Sequence, residues 1–74
     1  MAVPTRKRSI TLSGHRTSVS LEQDFWDALN DIARASGQPL ARLIDDIDKR
    51  QERGNNLSSA LRLFVLAHYR KARG

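Results

Sequence analysis

The segment Leu57–Arg70 sets the hardest constraint on the fold. Leu57, Ala60, Leu61, Leu63, Phe64, Val65, Leu66, Ala67 and Tyr69 leave a helix apolar nearly all the way round. Such a helix has to be enclosed on most sides. The chain offers only 74 residues to enclose it, and a chain of that size buries roughly 60% of its unfolded surface. It has no cysteine, so disulfides and thiolate metal sites are excluded. The two histidines, His15 and His68, lie far apart and neither has ligand-spaced company. The remaining staple is a second copy of the chain. An obligate homodimer is therefore expected.

The rest of the chain reads as a short strand and two more helices. Residues 1–8 hold Pro4 and three bases without apolar rhythm, and read as a flexible basic arm ahead of one domain over residues 9–74. Ser9-Ile10-Thr11-Leu12 alternates and is followed by the turn signal Ser13-Gly14. Residues 15–21 alternate again, with Thr17, Val19 and Leu21 on one face and Arg16, Ser18 and Ser20 on the other, which predicts a strand. A lone strand does not persist in water. Its partner is either Ser9–Leu12, folded back as a hairpin, or the same strand of a second chain.

A first helix is predicted over 22–36, with Phe25, Trp26, Leu29, Ile32 and Ala33 on one face and Glu22, Asp24 and Asp27 in its first turns. Ser20 with Gln23 fits a capping box, and Ser36-Gly37 a terminus. A second helix over 39–53 starts at Pro39 and carries the stripe Leu40, Leu43, Ile44 and Ile47. Gly54-Asn55-Asn56 ends it, and Asn56 caps a third helix over 57–71.

Charge is segregated along this order. Residues 1–20 carry Arg6, Lys7, Arg8 and Arg16 and no acid, residues 21–53 are net −3, and residues 54–74 carry Arg62, Arg70, Lys71 and Arg73 and no acid. The net charge of +5 thus hides two basic ends, a pattern suited to a polyanionic partner. No apolar run of about 18 residues exists to cross a membrane. The basic N-terminus lacks the apolar core of a secretory signal, so a cytoplasmic, nucleoid-associated protein is expected.

Nothing in the sequence assembles a reaction centre. Asp45, Asp46 and Asp48 sit around the outside of an amphipathic helix beside Lys49 and Arg50, which reads as a solvated face and not a metal site. His68 has no Ser/His/Asp company, and Ser58-Ser59 is an ordinary helix start. No catalytic residue, metal or cofactor is expected, and the chain reads as a non-enzyme. What stands out is positional. A strand with outward polar residues precedes an amphipathic helix, and two antiparallel strands make a ribbon that fits the major groove of DNA.

The strings His15-Arg16-Thr17-Ser18-Val19-Ser20-Leu21-Glu22 with Phe25-Trp26 and Leu29, and Asn56-Leu57-Ser58-Ser59-Ala60-Leu61-Arg62 with Val65, resemble the ribbon-helix-helix family of bacterial DNA-binding proteins. The run Arg8–Ser18 resembles its short stand-alone members, and the likeness covers about residues 8–71. The resemblance implies a mostly α fold with an N-terminal β-ribbon, in an intertwined homodimer with Val19, Leu21, Leu61, Phe64 and Val65 in its core. It implies that Arg16, Ser18 and Ser20 read bases and that Asn56, Leu57 and Ser58 bind phosphate, and Arg6, Lys7 and Arg8 are expected to track phosphates. The chain departs from the usual pattern by its additional helix between the two family helices. A transcriptional regulator bound to double-stranded DNA is the expected function. The rival is an antitoxin-like or adaptor module that docks a protein partner through Leu40, Leu43, Ile44 and Ile47. A membrane-surface peptide is disfavoured by the acidic middle.

Overall fold

The computed structural model describes residues 4–51 and 56–73. Two strands, β1 (Thr5–Leu12) and β2 (His15–Glu22), precede three helices, α1 (Gln23–Ser36), α2 (Leu40–Arg50) and α3 (Leu57–Arg73). The architecture is mostly α with an N-terminal two-stranded antiparallel ribbon. The expected end of the second helix at Gly54-Asn55 lies outside the described residues, as does the start of the expected arm, residues 1–3.

The choice of strand partner is settled within the chain. β1 and β2 pair in register from Leu12↔His15 to Thr5↔Glu22. Their two-residue link has positive φ at both positions, 50° at Ser13 and 83° at Gly14, the backbone that matches the twist of a hairpin. Gly14 takes this conformation without a Cβ penalty. Ser13 is held there by its hydroxyl, which donates to Asp45 Oδ1 on α2 at 2.8 Å. Residues 5–8 therefore belong to the ladder instead of a flexible arm. Their alternation was masked because Arg6 and Arg8 occupy positions that apolar residues fill further along.

Helix boundaries follow local chemistry. Glu22 takes the N-cap of α1 with extended backbone and no side-chain cap bond. The capping box does not form: Ser20 stays paired with Lys7 in the ladder. Gln23 instead donates its amide to Asp27 and accepts from Arg8. α1 ends where Gly37 turns to φ 71°. The Gly37 and Gln38 amides return to the Arg34 and Ala33 carbonyls, a Schellman closure. Pro39 sits at the N-cap of α2, and its carbonyl accepts the amides of Arg42 and Leu43. Asn56 Oδ1 accepts the Ser58 amide at 2.8 Å and so caps α3.

One face of the ribbon and all three helices share a core of Leu12, Val19, Leu21, Trp26, Leu29, Ile32, Ala33, Leu43, Ile44, Ile47, Leu61 and Val65. Two expectations change here. Leu43, Ile44 and Ile47 are buried and Leu40 is half-buried, so the α2 stripe is spent on the chain's own core and cannot dock a partner. Val19, Leu21, Leu61 and Val65, expected in the core of a dimer, are likewise buried within one chain; Phe64 is half-buried. The hairpin supplies the cover that a single strand could not. It does not reach all of α3. Leu63, Leu66 and Tyr69 remain 65%, 51% and 42% exposed, and every side chain from Leu66 to Ala72 faces out.

Candidate nucleic-acid interface

Residues directly opposite in an antiparallel pair project to the same face. The register therefore sorts the ribbon into two faces. Leu12, Ile10, Arg8 and Arg6 face inward with His15, Thr17, Val19 and Leu21; Thr11, Ser9, Lys7 and Thr5 face outward with Arg16, Ser18, Ser20 and Glu22. The outward set is polar throughout, and all but the half-buried Glu22 are exposed. Arg16 and Ser20 stand four residues apart on β2, about 13 Å along the strand. The two strands lie about 4.8 Å apart, and the pair fits a major groove about 12 Å wide. Arg16 offers guanidinium donors for guanine O6 and N7, and the hydroxyls of Ser18 and Ser20 can donate or accept.

The basic residues expected to track phosphate divide between the faces. Lys7 shares the outward face, opposite Ser20. Arg6 and Arg8 fall on the other. Arg8 is engaged: its guanidinium lies 5.1 Å from the centre of the Trp26 ring and donates to Gln23 Oε1 at 2.7 Å. This makes Arg8 a clamp between ribbon and α1, so its expected phosphate role gives way to a structural one. Arg6 is exposed, one ladder step further on and opposite Leu21.

The start of α3 meets the ribbon at Ser20. Ser58 Oγ donates to the Ser20 carbonyl at 2.8 Å, and Arg62 Nε, one turn on, donates to Glu22 Oε1 at 2.9 Å. These bonds bring Asn56, Leu57 and Ser58 beside the strand end that carries Ser20 and Lys7. Of the amides opening the helix, that of Ser58 is taken by Asn56 Oδ1, and the Ser58 hydroxyl is spent on Ser20. An anion at this helix start would meet the Leu57 and Ser59 amides, oriented by the helix dipole.

Two carboxylates fasten the site. The hydrogen bond from Arg62 and one from its own backbone hold Glu22 below the usual carboxylate range, against a smaller opposing effect of burial. The Ser13 hydroxyl holds Asp45 down in the same sense, and Lys49 adds to it at 3.2 Å from Oδ2. Glu22 ties the end of β2 to α3, and Asp45 ties the turn to α2. Sequence reasoning missed both, because each link joins residues more than 30 positions apart. It also missed Ser9 and Thr11 on the outward face, although their alternation with Ile10 and Leu12 was visible. Among the described residues, no group of three or more His, Asp or Glu could hold a metal ion, and no helix is long and apolar enough to cross a membrane.

No curated protein and no solved structure matches the chain. A family model described as a ribbon-helix-helix domain matches residues 5–69, a span from the first residue of β1 into the last turns of α3. That match, together with a two-stranded ribbon leading into packed helices, places the chain in the ribbon-helix-helix family, a family of DNA-binding regulators.

Proposed function

We propose that the protein is a homodimeric, sequence-preferring DNA-binding protein that regulates transcription and inserts its ribbon into the major groove. Arg16, Ser18 and Ser20 touch base edges. Lys7, Arg6 and the α3 start at Asn56, Leu57 and Ser58 lie against phosphates. The observation that carries the reading is the outward ribbon face, on which Arg16, Ser18 and Ser20 stand exposed in one row. Work on duplex DNA places the protein in the cytoplasm with the nucleoid.

Dimerisation is supported by the uncovered apolar surface of α3. Leu63, Leu66 and Tyr69 border an open cleft of about 640 Å³ lined by Ile47, Ala60, Leu63 and Phe64, with Arg50, Gln51, Asn56 and Ser59 at its rim. A two-fold contact between copies can use both the ridge and the cleft. Burying three such side chains is worth several kcal/mol, at about 1.5–3 kcal/mol each.

Binding of labelled duplexes, followed by anisotropy over a salt series, tests the reading. Arg16→Ala is expected to cost about 1–3 kcal/mol at a matched site and to relax preference there. Lys7→Ala is expected to weaken all sequences alike and to lower the slope of log K on log salt by about 0.9. Unchanged site preference in Arg16→Ala refutes the base-reading role, and absence of duplex binding refutes the function.

A further inference from the structure

The register of the hairpin carries an inference about β1, and it rests on the DNA reading above. We infer that β1 supplies half of the base-reading face, with Ser9 and Thr11 contacting bases beside Ser18 and Arg16, so that each chain carries a complete groove-sized ribbon. Thr11 stands opposite Arg16, Ser9 opposite Ser18 and Lys7 opposite Ser20. All six are exposed on the same face. A groove contact that takes in one of these rows takes in the other.

The hairpin is fastened to the body at several points. Ser13 at the turn is bonded to Asp45, Arg8 spans Trp26 and Gln23, and Leu12 is buried in the core. β1 is therefore positioned as firmly as β2.

A ribbon shared between two chains fits less well. A two-residue turn closes on a hydrogen-bonded pair, and alternation then turns the Ser20 carbonyl away from β1 to the free edge of β2. That carbonyl accepts the Ser58 hydroxyl, so α3 already occupies part of the edge where a second copy's strand would pair. Pairing there would also give four strands, with about 14 Å between the outermost axes, against a groove about 12 Å wide. The hairpin of one chain is the unit that enters. Its side chains suit base contact, since the Ser9 and Thr11 hydroxyls can donate or accept at base edges and the Thr11 methyl can pack on the methyl of thymine.

The test is selection of bound sites from random duplexes at about 0.15 M salt, using wild type, Arg16→Ala, the double variant Ser9→Ala/Thr11→Val, and Arg6→Gln on the opposite face. All the substitutions are at exposed positions, and Thr11→Val keeps the β-branch; a thermal melt confirms each fold. The expected result is loss of preference at distinct positions in Arg16→Ala and in the double variant, with Arg6→Gln keeping the wild-type motif. Affinity of the double variant for the wild-type site should fall about three- to tenfold, with binding to unrelated duplex unchanged. If the double variant keeps the wild-type motif and affinity while Arg16→Ala relaxes, the role of β1 is overturned and the DNA reading stands. The role of β1 also falls if Arg6→Gln alters the motif as the double variant does. If wild type binds no duplex, the DNA reading falls and this inference with it.

Discussion

Replacing Arg8 with alanine separates a structural cation from a phosphate-tracking one. Its guanidinium lies over the Trp26 ring and donates to Gln23. A cation–π contact at an exposed site is worth about 0.5–1 kcal/mol, and a hydrogen bond adds about 0.5–1.5 kcal/mol. Arg8→Ala should therefore destabilise the fold by about 1–2 kcal/mol, and each kcal/mol lowers Tm by roughly 4–8 °C in a domain of this size. Trp26 is the single tryptophan and is buried, so urea unfolding followed by its emission reads the change directly. Arg8→Lys keeps the charge and part of the ring contact but cannot form the guanidinium bond, and should fall between the two. The salt slope of DNA binding should match wild type at temperatures where Arg8→Ala is folded. Unchanged stability together with a salt slope reduced as in Lys7→Ala would refute the clamp and return Arg8 to the phosphate-contacting set.

Further outcomes follow from the same geometry. Gly14→Ala forces an L-residue to φ 83° without meeting any atom within 4 Å, so backbone strain alone should cost about 1–2 kcal/mol in thermal unfolding. Leu61→Ala empties a fully buried position at the centre of the core and should cost about 2–5 kcal/mol by urea titration. Glu22 and Asp45 both have depressed pKa values. Their links therefore stabilise the fold fully above the ordinary carboxylate range near about pH 4 and fade as pH falls through the lowered values. An acid titration of Arg62→Gln or Ser13→Ala should lose less stability over that window than wild type; an identical acid profile would count against the links. Leu66→Lys should shift sedimentation from dimer to monomer without unfolding the chain, since Leu66 is 51% exposed.

The parts of the fold legible in sequence were those set by local periodicity. β2 alternates cleanly, and α1 and α2 carry narrow apolar stripes that the structure buries at Trp26, Leu29, Ile32, Leu43, Ile44 and Ile47. The Asn56 cap and the Gly37 terminus were also readable, because a cap depends on one or two neighbouring residues. β1 was only half visible. Arg6 and Arg8 stand where its inward alternation calls for apolar residues, and only Trp26 and Gln23, far along the chain, explain them. The same omission misdirected the reading of the core. With one strand in view, α3 needed a second chain around Leu61 and Val65; with two strands, one chain buries both and leaves Leu63, Leu66 and Tyr69 outside.

The candidate site shows a similar division. Parity alone put Arg16, Ser18 and Ser20 on one face, and the ladder agrees. The meeting of the α3 start with Ser20 depends on a bond between Ser58 and a strand carbonyl. No pattern within either segment encodes that bond. The same holds for the split of Arg6 and Arg8 from Lys7, which requires knowing that residues 5–8 are extended and paired.

The central claim is that the outward face of the ribbon contacts DNA, and amide chemical-shift mapping tests it most directly. The 15N-labelled protein would be titrated with a selected duplex. The expected result is that the largest perturbations fall on Lys7, Ser9, Thr11, Arg16, Ser18 and Ser20, with a second group at Leu57–Ser59. Perturbations confined to α1, or to the Leu66–Lys71 end of α3, with the ribbon amides unmoved, would contradict it.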